Sequence, residues 1–265
     1  MLLPSAPGIH VREKDGARID YSNASEGYII ASVAGESDRK YKINIKSGSG
    51  AQNFSVPYDG TPKVYPLCFG DGTYTVQAFK QVELIQYRAL LGVALNVELS
   101  SQFVPFLYPN TYCEYDADSV CVKKAAELTA GVERDIDKVK ALYRWICDNT
   151  EYDHELAKRV KDENWWLPDP DEVIATGKTI CFGYSSLMAA MSRSLSIPCR
   201  ICVGYAGASF HAWNEIYTRN GGDIDGVKFS EHCWNRLCVT FMDTSDGKAA
   251  DYVMTAKNWR ITYYG

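Results

Sequence analysis

Three residue types that together support nucleophilic catalysis occur in order in the second half of this chain. Cys181 stands where a loop turns into a strongly helical segment, and His211 and Asp243 follow it. A thiolate, a base that takes its proton and a carboxylate that orients the base are the minimum equipment for acyl transfer through a thioester. Backbone N–H groups at a helix N-terminus favour an ionised thiol and can also hold an oxyanion.

The surroundings of these residues agree with such chemistry. Gly177 and Gly183 flank the start of the helix, where a residue without a side chain lets a substrate backbone approach closely. His211 falls in a strand pattern, so it shares a face with Trp213. We expect His211 to take the thiol proton and return it to the leaving amine, and Asp243 to hold the imidazole tautomer.

The first half of the chain alternates polar and apolar residues with the period of a β-strand. The segments 40–46, 73–79 and 93–99 show this pattern, and Asp-Gly and Ser-Gly steps lie between such segments. Several short strands separated by turn signals predict an antiparallel β-sandwich.

Helical patterns replace the strand patterns after residues 105–110, which contain two prolines and an asparagine. Apolar residues at helical spacing predict helices around 121–128, 136–146 and 181–195. Strand patterns return at 200–205, 210–217 and 234–242. Helices followed by strands predict an α+β domain rather than alternating βαβ units.

The second half resembles the transglutaminase-like superfamily, whose core is a papain-like Cys-His-Asp fold. Five motifs carry the resemblance: a helix that ends in Tyr-Asp, Gly-x-x-x-Cys with Gly-Tyr-Ser behind it, a Pro step into a strand, His-Ala-Trp-Asn-Glu, and Trp followed by Asp-Thr. They occupy residues 141–153, 177–185, 196–205, 211–215 and 234–244. The chain departs from the family pattern because no proline follows Asp243, and because residues 231–233 stand where glycine and aspartate are usual.

The first half resembles, more loosely, the immunoglobulin-like domain that precedes this core in some bacterial surface proteins. The resemblance implies an immunoglobulin-like β-sandwich over residues 10–110 and a transglutaminase-like catalytic domain over residues 111–265. It implies a helix bearing Cys181 that packs on an antiparallel sheet.

Further contacts to substrate or oxyanion are expected near the cysteine helix. Aromatic residues on the preceding loop are candidates for the side-chain donor of the oxyanion hole, although packing beneath a long loop explains them equally well. The full set of candidates is Tyr152, Trp165, Trp166, Gly183, Tyr184 and Trp213.

A metal or another cofactor is not expected. Cys199 and Cys202 have metal-ligand spacing, and His232, Cys233 and Cys238 could complete a zinc site. However, residues three apart on a strand point to opposite faces. The sequence also shows no acidic loop of the kind that binds calcium.

Composition restricts the partners. The net charge is −5 with no basic run, which argues against nucleic acid, and no apolar stretch is long enough to cross a membrane. Nine cysteines without regular spacing argue against a disulfide scaffold. The expected partner is a peptide or protein substrate, which could be associated with the cell wall. We expect an exported or cell-surface protein if a leader is missing from this sequence, and a cytoplasmic protein otherwise.

Cysteine-dependent acyl chemistry on a peptide or amide bond is therefore the favoured function, as a protease, an amidase or a transglutaminase-like enzyme. One alternative is a catalytically inactive module that keeps the fold for binding or surface display, which the missing proline beside Asp243 favours. Another is an amidase like peptide N-glycanase, which would need a groove for glycan. Hydrolysis and transfer cannot be separated, because no residue shows whether water or an amine reaches the thioester first.

Overall fold

The structure is a computed structural model that describes residues 1–160, 166–244, 252–253 and 259–265. The chain divides into two compact units. One unit is Pro4–Pro105, and the other is Phe106–Gly265 together with Met1–Leu3.

The unit Pro4–Pro105 contains two antiparallel four-stranded sheets, with strand orders β1-β2-β3-β6 and β5-β4-β7-β8. This all-β arrangement fits an immunoglobulin-like domain. Its strands are β1 (Val11–Lys14), β2 (Ala17–Asp20), β3 (Tyr28–Val33), β4 (Tyr41–Ser47), β5 (Gly50–Val56), β6 (Lys63–Pro66), β7 (Gly72–Glu83) and β8 (Gln86–Val97).

Alternation along the strands produces the core of this unit. In β4, Tyr41, Ile43 and Ile45 are buried, whereas the residues between them are not. Since successive side chains of a strand point to opposite faces, one face becomes the core and the other meets solvent.

Among the described residues, the α-helices near the predicted site belong to the unit Phe106–Gly265. The helices are α1 (Val120–Leu128), α2 (Asp135–Asn149), α3 (His154–Arg159), α4 (Pro170–Thr176), α5 (Cys181–Ser194) and α6 (Val239–Thr244). Asp171 of α4 accepts hydrogen bonds from the free N–H groups of Val120 and Cys121, at 2.8 Å each, so it caps α1.

The main sheet of this unit is antiparallel with order β15-β12-β11-β16. Two small two-stranded sheets, β9-β10 and β13-β14, accompany it. The strands are β9 (Glu151–Tyr152), β10 (Lys178–Thr179), β11 (Cys199–Ala206), β12 (Ser209–Thr218), β13 (Gly222–Ile224), β14 (Val227–Phe229), β15 (Cys233–Leu237) and β16 (Trp259–Tyr264). The unit is thus α+β, with a cysteine-bearing helix against an antiparallel sheet, as the resemblance implies.

Helix α5 is buried almost throughout its length and packs against β11 and β12. Near its end the fully buried Arg193 donates hydrogen bonds to the carbonyl groups of Tyr108, Cys199 and Gly265. These bonds satisfy a buried cation and tie the helix to the sheet. Cys181, at the other end, is therefore held on a rigid element.

The segment 234–242 differs from the expected continuous strand. Strand β15 ends at Leu237, and helix α6 begins at Val239. The backbone N–H of Met242 donates to the carbonyl of Cys238, a bond typical of a helix. A short apolar run fits either periodicity, which is why the pattern alone predicted strand.

No helix among the described residues is long and apolar enough to cross a membrane. All nine cysteines lie within the described ranges, and each is a free thiol.

Candidate active site

Cys181 and His211 open into the same cleft, which has a volume of about 850 Å³. Aromatic and aliphatic side chains form most of its wall, and none of the described residues that line it is Asp, Glu, Lys or Arg. The lining residues are Tyr152, His154, Ala157, Val160, Trp166, Ile180, Cys181, Phe182, Val203, Ser209, Phe210, His211, Ala212, Thr240, Phe241, Thr244 and Tyr263.

Cys181 is the first residue of α5 and is partly exposed. Its sulfur receives backbone hydrogen bonds from Ala212, Phe182 and its own N–H group. Burial raises the pKa of the Cys181 thiol, and these N–H groups oppose that effect because they favour the thiolate. The resting thiol is therefore protonated at neutral pH, with donors already aimed at the charge it would acquire.

His211 lies on β12 and is 6% exposed. Its ring stacks on Phe241 with 4.4 Å between ring centroids, and its Nε2 lies 3.1 Å from Sγ of Cys238. Burial lowers the pKa of His211 to about 4. The imidazole is therefore neutral at physiological pH, which is the form that can accept a proton.

Cys238 is fully buried between the end of β15 and the start of α6. Its sulfur receives backbone hydrogen bonds from Phe241 and Thr240, and burial raises its pKa. Sequence reasoning considered Cys238 only as a zinc ligand. No local sequence pattern showed its place, which the sheet determines: β15 pairs with β12 and places Leu237 opposite Asn214. The next residue, Cys238, therefore falls beside the part of β12 that carries His211.

Asp243 was predicted to orient His211, and this role stays a prediction. The described contacts of the His211 ring are with Cys238 and with aromatic side chains. Asp243 instead accepts a 2.7 Å hydrogen bond from the hydroxyl of Tyr184. The cause is α6, because a helix turns Asp243 toward α5 while Phe241 faces the imidazole.

The other predicted residues divide into two groups. Tyr152 and Trp166 line the cleft. Gly183, Tyr184 and Trp213 are buried behind it: a Cβ on Gly183 would lie 1.8 Å from Oγ1 of Thr179, Tyr184 bonds to the Thr150 carbonyl, and Trp213 packs edge-on against Trp259. Trp165 lies outside the described residues.

Several residues of the cleft were not predicted from sequence. Phe210, Phe241 and Tyr263 contribute aromatic surface, and Thr240 and Ser209 contribute hydroxyl groups. Phe210 is exposed on β12, one residue before His211. These residues come from three separate elements, so only the folded sheet brings them together.

Comparisons with known proteins agree with the fold. Residues 122–224 match the family model of the transglutaminase-like superfamily. This match includes Cys181 and His211 and ends before Cys238 and Asp243. Over this range the chain matches a transglutaminase-like domain, which agrees with its cysteine-bearing helix and antiparallel sheet.

Two curated relatives are similar to part of this chain, which spans a small share of their length. Kyphoscoliosis peptidase from Mus musculus is 34% identical over 104 residues, and that from Homo sapiens is 33% identical over 104 residues. Each match covers 35% of this chain and 15% of the relative.

A solved structure is similar over most of this chain. It is a candidate cysteine protease from Cytophaga hutchinsonii, with 17% identity and a TM-score of 0.46, over 97% of this chain and 74% of that one. At this identity and TM-score the similarity supports no statement about activity.

Proposed function

We propose that the unit Phe106–Gly265 is a cysteine-dependent acyl-transfer enzyme that acts on peptide or amide bonds. The observation that carries this proposal is the shared cleft. The Cys181 thiol at the start of α5 and the buried imidazole of His211 both line it. The transglutaminase-like domain over residues 122–224 supports the same reading.

In the proposed reaction, Cys181 and His211 begin as a neutral pair. His211 takes the thiol proton as the sulfur attacks the substrate carbonyl, and a C–S bond forms. The backbone N–H groups of Cys181 and Phe182, which bond to the sulfur at rest, then donate to the developing oxyanion, because the sulfur loses its charge as the C–S bond forms. His211 then gives the proton to the leaving amine or ammonia, and a thioester remains. Water or a second amine then attacks the thioester carbonyl and gives a proton to His211. The C–S bond breaks, the product acid or amide leaves, and His211 returns the proton to the sulfur.

The cleft suggests the substrate class. Its described wall is aromatic and aliphatic and contains no Asp, Glu, Lys or Arg, so a charged group would lose water without gaining an ion pair. We infer a substrate that places an uncharged side chain beside the reacting amide. Glutamine and apolar residues meet this requirement.

The test is a screen of peptides with uncharged residues, including glutamine, with and without a primary amine. Mass spectrometry of the products separates cleavage, deamidation and amine transfer. Cys181→Ala should abolish every product, whereas Cys233→Ala, which removes an exposed thiol, should keep them. Turnover that survives in Cys181→Ala would overturn the proposal.

A second candidate is an inactive module that binds a peptide in the cleft. One observation favours it: His211, whose pKa burial lowers to about 4, has no carboxylate among its described contacts. In this case a peptide would bind equally well to the wild type and to Cys181→Ala, and neither would turn it over.

A further inference from the structure

Cys238 occupies the position expected of a residue that orients the imidazole of His211. Its Sγ is 3.1 Å from Nε2 of His211, and the residue is completely buried. Cys238 does not line the cleft, and its contact with His211 is the one through which it would act on the reaction.

The surroundings of this sulfur are those of a hydrogen-bond acceptor. Backbone N–H groups of Phe241 and Thr240 already point at Sγ. Sulfur is a weak donor and a weak acceptor, and with two N–H groups already directed at it, a third N–H donor from Nε2 fits this set better than a proton given by the thiol. If Nε2 carries the proton, Nδ1 is the nitrogen with a free electron pair, and Nδ1 is then the base available in the cleft that Cys181 shares.

We propose that Cys238 is the positioning residue of His211: its sulfur accepts the Nε2–H bond and holds the imidazole in the tautomer that leaves Nδ1 free for Cys181. This inference rests on the proposed function, and it assigns to a thiol the place that Asp243 was expected to take.

Among the described residues, no other side chain forms a hydrogen bond with the His211 ring that could orient it. Phe241 of α6, Trp213 of β12 and Trp259 of β16 contact the imidazole through their rings. The titratable side chains that share the cleft with His211 are Cys181, Tyr152, His154 and Tyr263, and Cys238 bonds to the ring from behind. A thiol cannot supply the negative charge of a carboxylate at neutral pH, so it orients the ring without favouring the imidazolium.

The test is nitrogen NMR of the full chain labelled with ¹⁵N-histidine, which contains four histidines. His211→Gln identifies the His211 signals. The wild type should show the Nε2–H tautomer, and Cys238→Ser, which keeps a side-chain acceptor, should preserve it. Cys238→Ala should give a mixture of tautomers and slow acylation of Cys181 about tenfold. Cys238→Asp should raise the pKa of His211 from about 4 to above its usual 6.5.

Asp243→Asn serves as the matched control and should leave the tautomer unchanged. An Nδ1–H tautomer in the wild type would overturn the proposal, as would a tautomer in the folded Cys238→Ala variant identical to that of the wild type. If the tautomer follows residue 238 but Cys181 reacts at the same rate without His211, the proposed function fails and the contact stands as an orienting one. Thermal unfolding of each variant shows that it is folded.

Discussion

At the scale of single residues, Cys181 and His211 are both neutral at rest. Burial raises the pKa of the thiol and lowers that of the imidazole to about 4, so proton transfer between them costs free energy until a substrate carbonyl receives the sulfur. This distinguishes the site from a preformed thiolate–imidazolium pair. In the proposed mechanism His211 therefore acts as a general base, and Cys238 contributes orientation without charge.

Asp243 has a structural role in this account. Its carboxylate accepts the Tyr184 hydroxyl and so joins α6 to α5. We expect Asp243→Ala and Tyr184→Phe each to lower the free energy of unfolding by about 1–3 kcal/mol, because each removes one partner of this part-buried hydrogen bond. Denaturant unfolding measures both variants and their double mutant.

The double mutant should cost less than the sum of the two single changes, since both remove one contact. Acylation of Cys181 should stay within about twofold of wild type in Asp243→Asn. A hundredfold loss there, with the fold intact, would restore Asp243 to the catalytic machinery.

At the scale of elements, the start of α5 depends on close packing against β10. Gly183 faces Thr179, and a Cβ at this position would come within 1.8 Å of Oγ1 and 2.9 Å of Cβ of Thr179. Both residues are buried. The absence of a side chain at 183 therefore sets how near the helix carrying Cys181 can approach the strand.

We expect Gly183→Ala to lower the free energy of unfolding by about 1–3 kcal/mol through overpacking. Gly48→Ala is the matched control, because a Cβ there meets nothing within 4 Å, and it should change stability by less than about 0.5 kcal/mol. Equal unfolding midpoints for the two variants would show that the stability of α5 does not depend on the close packing of Gly183 against Thr179.

Much of the order of helices and strands was predictable from the sequence, and the prediction was wrong at one short segment. The periodicity of 136–146 and of 181–195 predicted helices that the structure has as α2 and α5, because a long apolar stripe has one period. The segment after Trp234 is too short to show a period, so strand was predicted where α6 forms. That single change of element turns Asp243 away from His211 and brings Cys238 to it. The strand register that places Cys238 is a property of the sheet and not of any local pattern.

At the scale of the whole molecule, His211 makes the fold sensitive to acid. The unfolded chain binds a proton at His211 near pH 6.5, whereas the folded chain binds it only near pH 4. Between these values the unfolded state holds more protons, so stability falls as the pH falls from 6.5 toward 4. This one group accounts for a loss on the order of 2 to 3 kcal/mol.

Denaturant unfolding at pH 7 and pH 4.5 checks this prediction. His211→Gln should reduce the loss of stability between the two pH values by the stated amount. His154→Gln, which changes an exposed histidine of the same cleft, should retain the wild-type loss. An identical pH dependence in wild type and His211→Gln would contradict the burial of a neutral imidazole.

The most direct test of the central claim is the rate at which an activated ester acylates Cys181, followed by intact mass from pH 5 to pH 8. The account predicts a rate that is nearly constant over this range, because His211 is already neutral and the thiol still protonated. It also predicts a fall of about a hundredfold or more in His211→Ala, the usual contribution of a general base. An unchanged rate in His211→Ala would show that the two residues share a cleft without sharing a reaction.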